Sequence, residues 1–313
     1  MERRPIAGRE AGAIGLGCMP ISWAYGPGEG DGFRVIERAL DAGATLLDTA
    51  EVYGIGENER VVGRAIAGRR DEAVVATKCG LTVEDVATYD LGRDARPETL
   101  RAAIDGSLER LGTDRVDLWY LHRVDPDVPV EKSVGAMAEA VAAGKALSLG
   151  LSEVDVPTLE RALAVHPIAA VQSELSLWTR DALAEMIPFC ARHGIAFVAF
   201  SPLGRGFLTG ALGSGTTFAP GDMRGHNPRF TPDALAANQA IADAVRDVAE
   251  RLGATPAQVA IAWVLAQGSH VVPIPGTRRI AYLEENLGAA NVQMTPELLA
   301  VLDALPEPVG PRY

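Results

Sequence analysis

Cysteine is scarce in this sequence: Cys18, Cys79 and Cys190 are the only three among 313 residues. Thiols so few and scattered make neither a disulfide framework nor a zinc site, which fits a reducing compartment. Basic residues are also short, with 29 Lys and Arg against 41 Asp and Glu, for a net charge of −12. No basic tract offsets that acidity, so a general nucleic-acid or polyanion binder is excluded. No apolar run reaches the roughly 18 residues that a membrane-spanning helix needs. The N-terminal MERRPIAGRE is not followed by an apolar core of signal-peptide length. The expectation is a cytoplasmic, soluble protein with neither membrane nor nucleic-acid partner. His166, His193, His226 and His270 show no ligand spacing, and no metal site is expected.

What the sequence has is an ordinary globular composition, 48% hydrophobic and 22% charged. Short apolar segments alternate with longer amphipathic ones. The predicted strands are 13–17, 45–48, 74–78, 116–122, 146–151, 169–173, 196–200 and 271–274. They are apolar on both faces, as parallel strands covered by helices must be. Between them, Leu100, Ile104, Leu108 and Leu111 repeat at helical spacing after Pro97 and stop at Gly112. Val130, Val134, Met137 and Val141 repeat it before Gly144, and Asp181 is expected to cap a helix carrying Leu183, Met186 and Ile187. Thr255-Pro256 and Thr295-Pro296 each read as an N-cap followed by proline at the first helical position.

Eight strand–helix units predict a closed (β/α)8 barrel, a TIM barrel of the α/β class, as one domain over 1–313. An open doubly wound sheet is the alternative. The last gap contains a Gly-rich segment, 203–231, and an extra helix near 238–252. A connection that long is commonly functional.

Active sites of such barrels lie at the C-terminal ends of the strands. The second strand ends in Asp48 with Tyr53 in the loop beyond, the third ends in Lys78, and the fourth ends in His122. A tyrosine can serve as general acid, a nearby ammonium is expected to lower its pKa, and a carboxylate can hold that ammonium. A histidine can orient a carbonyl oxygen. The set suits protonation of an alkoxide formed by hydride addition. Cys79, next to Lys78 on a strand, faces the other side and reads as structural.

Over nearly its whole length the chain resembles the aldo-keto reductases, in particular their potassium-channel-β-subunit-like branch. The matching stretches are GLGCM (15–19), LLDTAEVYGIGENERVVGRAI (46–66), VVATK (74–78), LHRVDP (121–126), GLSE (150–153), FSPLGRGFLTG (200–210) and IPGTRRIAYLEENLGA (274–289). The resemblance implies a barrel with an N-terminal β-hairpin cap and extra C-terminal helices. It also implies NADPH (NADP+) as cofactor, a small-molecule carbonyl substrate, and Asp48, Tyr53, Lys78 and His122 as catalytic residues.

Cofactor contacts follow by position. Ser152, Glu153 and Gln172 would meet the nicotinamide amide, with Glu153 standing where many relatives have Asn, and Phe200 would stack on the ring. Ser201, Leu203, Gly204, Arg205 and Gly206 would line the pyrophosphate. Gly276, Thr277 and Arg278 would open a helix whose N-terminus attracts phosphate, and Arg278 or Arg279 would meet the ribose 2′-phosphate. Glu285 and Asn286 would meet the adenine. Segment 203–231 would close over the cofactor and slow its release. Trp23, Tyr25 and Trp178 are candidates for the substrate pocket. Two other readings stay open: an NADPH-binding regulatory subunit with little turnover, and a Schiff-base enzyme using Lys78.

Overall fold

In the computed structural model, which describes residues 1–26, 30–85 and 90–312, the chain begins with an antiparallel hairpin of β1 (Arg3–Ile6) and β2 (Arg9–Gly12). Ala7 and Gly8 between them have φ of 52° and 73°, the two left-handed residues that join twisted strands without splaying them. The Arg4 guanidinium donates to Leu265 O at 3.1 Å, to Gly268 O at 2.9 Å and to Val271 O. Those bonds satisfy carbonyls next to the last strand and seal one end of the sheet.

Eight parallel strands follow, β3 (Leu16–Gly17), β4 (Leu46–Asp48), β5 (Val74–Cys79), β8 (Val116–Leu121), β9 (Ala146–Ser152), β10 (Ile168–Glu174), β11 (Ala196–Phe200) and β12 (Val271–Pro273), each paired with the next. Gly15 N and Gly17 N donate to Pro273 O and Pro275 O at 3.0 and 3.4 Å, joining the first strand to the last. The fold is therefore a (β/α)8 barrel, as the alternating pattern predicts, and not an open sheet. A second hairpin, β6 (Leu81–Asp85) with β7 (Asp90–Arg93), emerges after β5. It was not among the predicted strands, because it is partly exposed and carries no buried alternation.

Side chains alternate between two cores. On β8, Leu118 and Tyr120 fill the barrel interior while Trp119 and Leu121 pack under the helices. On β5, Val74 and Ala76 face inward and Val75 and Cys79 outward. Cys79 is thus part of the outer core, as expected. Gly150 of β9 has no substitute, since a Cβ there would lie 2.4 Å from the Tyr120 ring.

The outer ring comprises α1 (Gly32–Asp41), α2 (Glu57–Ile66), α3 (Pro97–Leu111), α4 (Val130–Ala142), α5 (Val156–Leu163), α6 (Met186–His193), α8 (Pro256–Leu265) and α9 (Ile280–Gly288), with α7 (Pro232–Leu252) and α10 (Pro296–Asp303) as additions. The two threonine–proline signals hold: Thr255 and Thr295 each accept a backbone N–H three residues on, with Gln258 completing a capping box. Thr231, which sequence reasoning did not single out, caps α7 in the same way and starts it at Pro232 rather than near 238. Such a cap contributes about 1 kcal/mol. Asp181 does not cap α6. It begins a single 3₁₀ turn, and the helix starts at Met186 so that Pro188, which lacks an N–H, stands within its first turn. Among the described residues no helix is long and apolar enough to cross a membrane.

Candidate active site

At the C-terminal ends of β4, β5 and β8 the chain brings Asp48, Lys78 and His122 together, and the loop after β4 adds Tyr53. Lys78 is fully buried, a position a lysine holds only with partners. Its Nζ donates to Asp48 Oδ1 at 2.5 Å, Thr49 O at 2.8 Å and Tyr53 Oη at 3.4 Å. The ammonium is therefore retained: burial pushes it down, but Asp48 and Tyr53 push it up further, and the net direction is upward. Asp48 accepts on its other oxygen from Gln172 Nε2 at 2.7 Å, which fixes the carboxylate from the far side of the barrel.

Tyr53 departs from expectation in one respect. Lys78 draws its pKa down, yet burial outweighs that pull and the net shift is upward. The hydroxyl thus keeps its proton at neutral pH, with an ammonium beside it ready to stabilise the phenolate once the proton leaves. His122 packs edge-on to Tyr53, ring centroids 5.8 Å apart. Burial and then the charges of Lys78 and Arg123 hold it well below its ordinary pKa, so the ring is neutral. Its buried Nδ1 has no partner among the described residues.

Local sequence explains how Tyr53 reaches this position. Gly54, Ile55 and Gly56 have φ of 57°, 53° and 83°, a tight left-handed run that reverses the chain into α2. A Cβ at Gly56 would meet Arg110 Cδ at 2.5 Å. Asn58 closes the turn, donating to Cys18 O at 2.9 Å and Ser22 Oγ at 2.7 Å and accepting from Thr49 Oγ1 at 2.8 Å. Asn58 was not singled out by sequence reasoning, since an asparagine in a first helical turn carries no chemical signal by itself.

Tyr53 and His122 border a cavity of about 800 Å³, near the upper end of the range for small-molecule sites. Asp48 lies in its wall and Lys78 directly behind. Ser152, Gln172, Phe200, Ser201, Leu203, Arg205 and Gly206 line one part, and Gly276, Thr277, Arg278, Arg279, Glu285 and Asn286 another. Trp23 and Tyr25 are at the wall as expected.

Three expected residues are elsewhere. Trp178 is 2% exposed and stacks on Phe207 at 4.1 Å, with Phe230 edge-on at 5.2 Å. It is a packing residue beneath the loop after β11, not part of the substrate pocket. Gly204 is buried against Trp178, where a Cβ would approach to 2.9 Å. Glu153 has φ 55°, and its carboxylate leaves the cavity to accept from Glu174 N at 2.9 Å and to pair with Arg312. That partner, far along the chain, diverts it from any nicotinamide contact. Gly276, Thr277 and Arg278 also do not open the helix. They form the turn ahead of Ile280, where α9 begins, with Thr277 Oγ1 accepting from Arg279 N at 3.1 Å. Arg278 Nη1 donates to Gly26 O at 2.9 Å, tying that turn to the loop after β3.

The donor set suits an elongated anionic dinucleotide. One end offers an amide, a hydroxyl and the Phe200 ring; the other offers Arg278 and Arg279 beside a close-packed glycine. A Cβ at Gly276 would stand 2.7 Å from Gly17 O and 2.8 Å from Pro20, so only bare backbone fits that part of the wall.

A closed barrel with this strand-end quartet set beside a cavity of this size and lining is the arrangement of an oxidoreductase barrel. The chain belongs to the aldo/keto reductase family, whose model matches residues 13–307. It is 41% identical over 312 residues to a Glycine max protein described as probable aldo-keto reductase 1, covering 98% of this chain and 89% of that protein. Its fold matches a glycerol dehydrogenase from Gluconobacter oxydans with a TM-score of 0.87 at 31% identity, covering 99% and 98% of the two chains. It also matches a Klebsiella pneumoniae aldo-keto reductase solved with NADPH, with a TM-score of 0.73 at 28% identity over 99% and 97%. The family uses a nicotinamide cofactor.

Proposed function

We propose that this single-domain barrel is an NADPH-dependent carbonyl reductase that converts an aldehyde or ketone to the alcohol. The observation that carries the reading is the buried Asp48–Lys78–Tyr53 chain with neutral His122 at its open end. NADPH, when bound, supplies the hydride that the carbonyl carbon accepts. Gln172, Ser152 and Phe200 would hold the nicotinamide end, and Arg278 and Arg279 the phosphate end. His122 donates an N–H to the carbonyl oxygen and aligns it with Tyr53. Tyr53 transfers its hydroxyl proton to that oxygen as the C–O double bond becomes single. Lys78 stabilises the resulting phenolate, and Asp48 keeps Lys78 in place. A proton from solvent restores Tyr53, so one carbonyl, one NADPH and one proton give one alcohol and one NADP+.

Tyr53→Phe removes the acid while leaving the ring. The expected result is a 10²- to 10⁴-fold loss of kcat, roughly the value of general acid catalysis, while NADPH still quenches tryptophan fluorescence. Unchanged turnover would refute the acid role. NADPH binding by the wild-type protein without oxidation over a broad carbonyl panel would refute the reductase reading in favour of a regulatory one.

A further inference from the structure

Several arginines border the cavity, and they are not equivalent. Arg205 is paired with Glu174 at 3.1 Å and Arg224 with Asp222 at 2.6 Å. Arg278 and Arg279 belong to the end suited to phosphates. Arg123 is different. It follows His122 directly, borders the cavity beside the reacting groups, and has no carboxylate partner among the described residues. The acidic residue nearest in sequence, Asp125, is turned away and accepts from Ala95 N at 3.1 Å and Asp127 N at 2.9 Å.

The arginine is nevertheless held firmly. Its Nη1 donates to His122 O at 2.6 Å and Ser152 Oγ at 3.1 Å, while Nε and Nη2 have no acceptor among the described residues. Its charge acts on both Tyr53 and His122, so it lies within electrostatic reach of the reacting oxygen. The other walls at this end are apolar: Met19, Trp23, Val52, Leu81 and Leu91. A partly buried cation without a counter-charge, set among apolar walls, is unfavourable until an anion arrives. A guanidinium with two N–H directions to spare matches a carboxylate's two oxygens.

We propose that Arg123 determines substrate specificity by holding a carboxylate carried on the carbonyl compound, so that the preferred substrates are small aldehyde or keto acids. This rests on the reading of Tyr53 and His122 as the carbonyl site. The apolar walls hold the carbon skeleton between the two polar ends, and the carboxylate fixes the carbonyl against Tyr53.

The test compares 4-carboxybenzaldehyde with 4-methylbenzaldehyde, its uncharged counterpart of similar shape. In the wild-type protein kcat/KM is expected to favour the carboxylate. Arg123→Leu lowers that preference at least tenfold, through KM for the acid, as expected for a charge-assisted hydrogen-bonded pair. Arg123→Lys recovers part of it, because the charge remains but the fork is lost. An unchanged preference ratio in Arg123→Leu overturns the proposal, as does a matching loss of NADPH affinity that accounts for the whole effect. Calorimetric titration of 4-methylbenzoate into the NADP+ complex reads the same contact without turnover. Binding at least tenfold weaker in Arg123→Leu supports it, and equal affinity overturns it. Failure of both aldehydes to oxidise NADPH would count against the reductase reading alone, since the benzoate titration would still judge Arg123.

Discussion

Replacing Glu51 by Gln is expected to stabilise the protein, and to do so only where a carboxylate would be ionised. Glu51 accepts from Gly80 N at 3.2 Å, and its side chain is 22% exposed. Its neighbour Glu59 is fully buried and takes the better part of the shared arginine, with Arg110 Nε at 2.6 Å and Thr77 Oγ1 at 2.5 Å. Arg110 approaches Glu51 only to 3.9 Å. Burial first and the Glu59 charge second push the Glu51 carboxyl from 4.5 up to about 7. At pH 4 both the folded and unfolded chains hold the proton and Glu51 costs little. As the pH rises past 4.5 the unfolded chain releases it first, so stability falls until the folded carboxyl also ionises near pH 7. A displacement of that size corresponds to ~3 kcal/mol above neutrality, and to ~1 kcal/mol at about pH 5. Gln retains an acceptor for Gly80 N and carries no charge, so the variant should gain about 2 kcal/mol more at pH 8 than at pH 5. Urea unfolding at the two pH values measures this from the midpoint at constant slope. Equal gains at both pH values, or a loss at pH 8, would refute the assignment of strain to the ionised carboxylate.

Asp48→Asn should cost roughly 3–5 kcal/mol, because Lys78 is left buried without a counter-charge; a Tm change of under one degree would contradict the pairing. Since burial keeps His122 neutral, kcat/KM for reduction should show no inflection between pH 6 and 8, and a bell with a limb near 6.5 would argue against it. Gly276→Ala places a Cβ against Gly17 O and Pro20, and NADPH affinity measured by fluorescence quenching should fall at least tenfold. Arg312→Ala removes the guanidinium that pairs with Glu153 but keeps the main-chain carbonyl that accepts from Arg205 and Asn227, so NADPH release in stopped flow should be unchanged; a faster release would show that the ion pair itself holds the loop.

Much of the barrel was legible because its signals are local. A strand buried on both faces must be apolar throughout, and a Thr-Pro pair before a periodic run has few uses besides starting a helix. Strand ends such as TLLD, VVATK and LWYLH place their last polar residue at the catalytic rim once the barrel is assumed, and Asp48, Lys78 and His122 are found there. The β6–β7 hairpin escaped because a partly exposed ribbon shows no burial pattern. The start of α6 was misplaced because Asp181 satisfies the cap rule as well as any cap, while Pro188 sets the first turn.

Other features depended on contacts between distant segments. Glu153 stands beside Ser152 in sequence, but Arg312 and a positive φ turn it out of the cavity. Trp178 looks like a pocket aromatic until Phe207 and Phe230 enclose it. The sign of the shift at Tyr53 required knowing how completely it is buried, since proximity to Lys78 argued the other way. The sequence by itself determined the alternation of elements, the residue types at the strand ends and hence the family, because these depend on neighbours along the chain. Only the tertiary structure decided which side chains share the cavity, which charges are already neutralised and which, like Arg123, are not. Burial and ion pairing depend on distances in space between residues that the chain order leaves far apart.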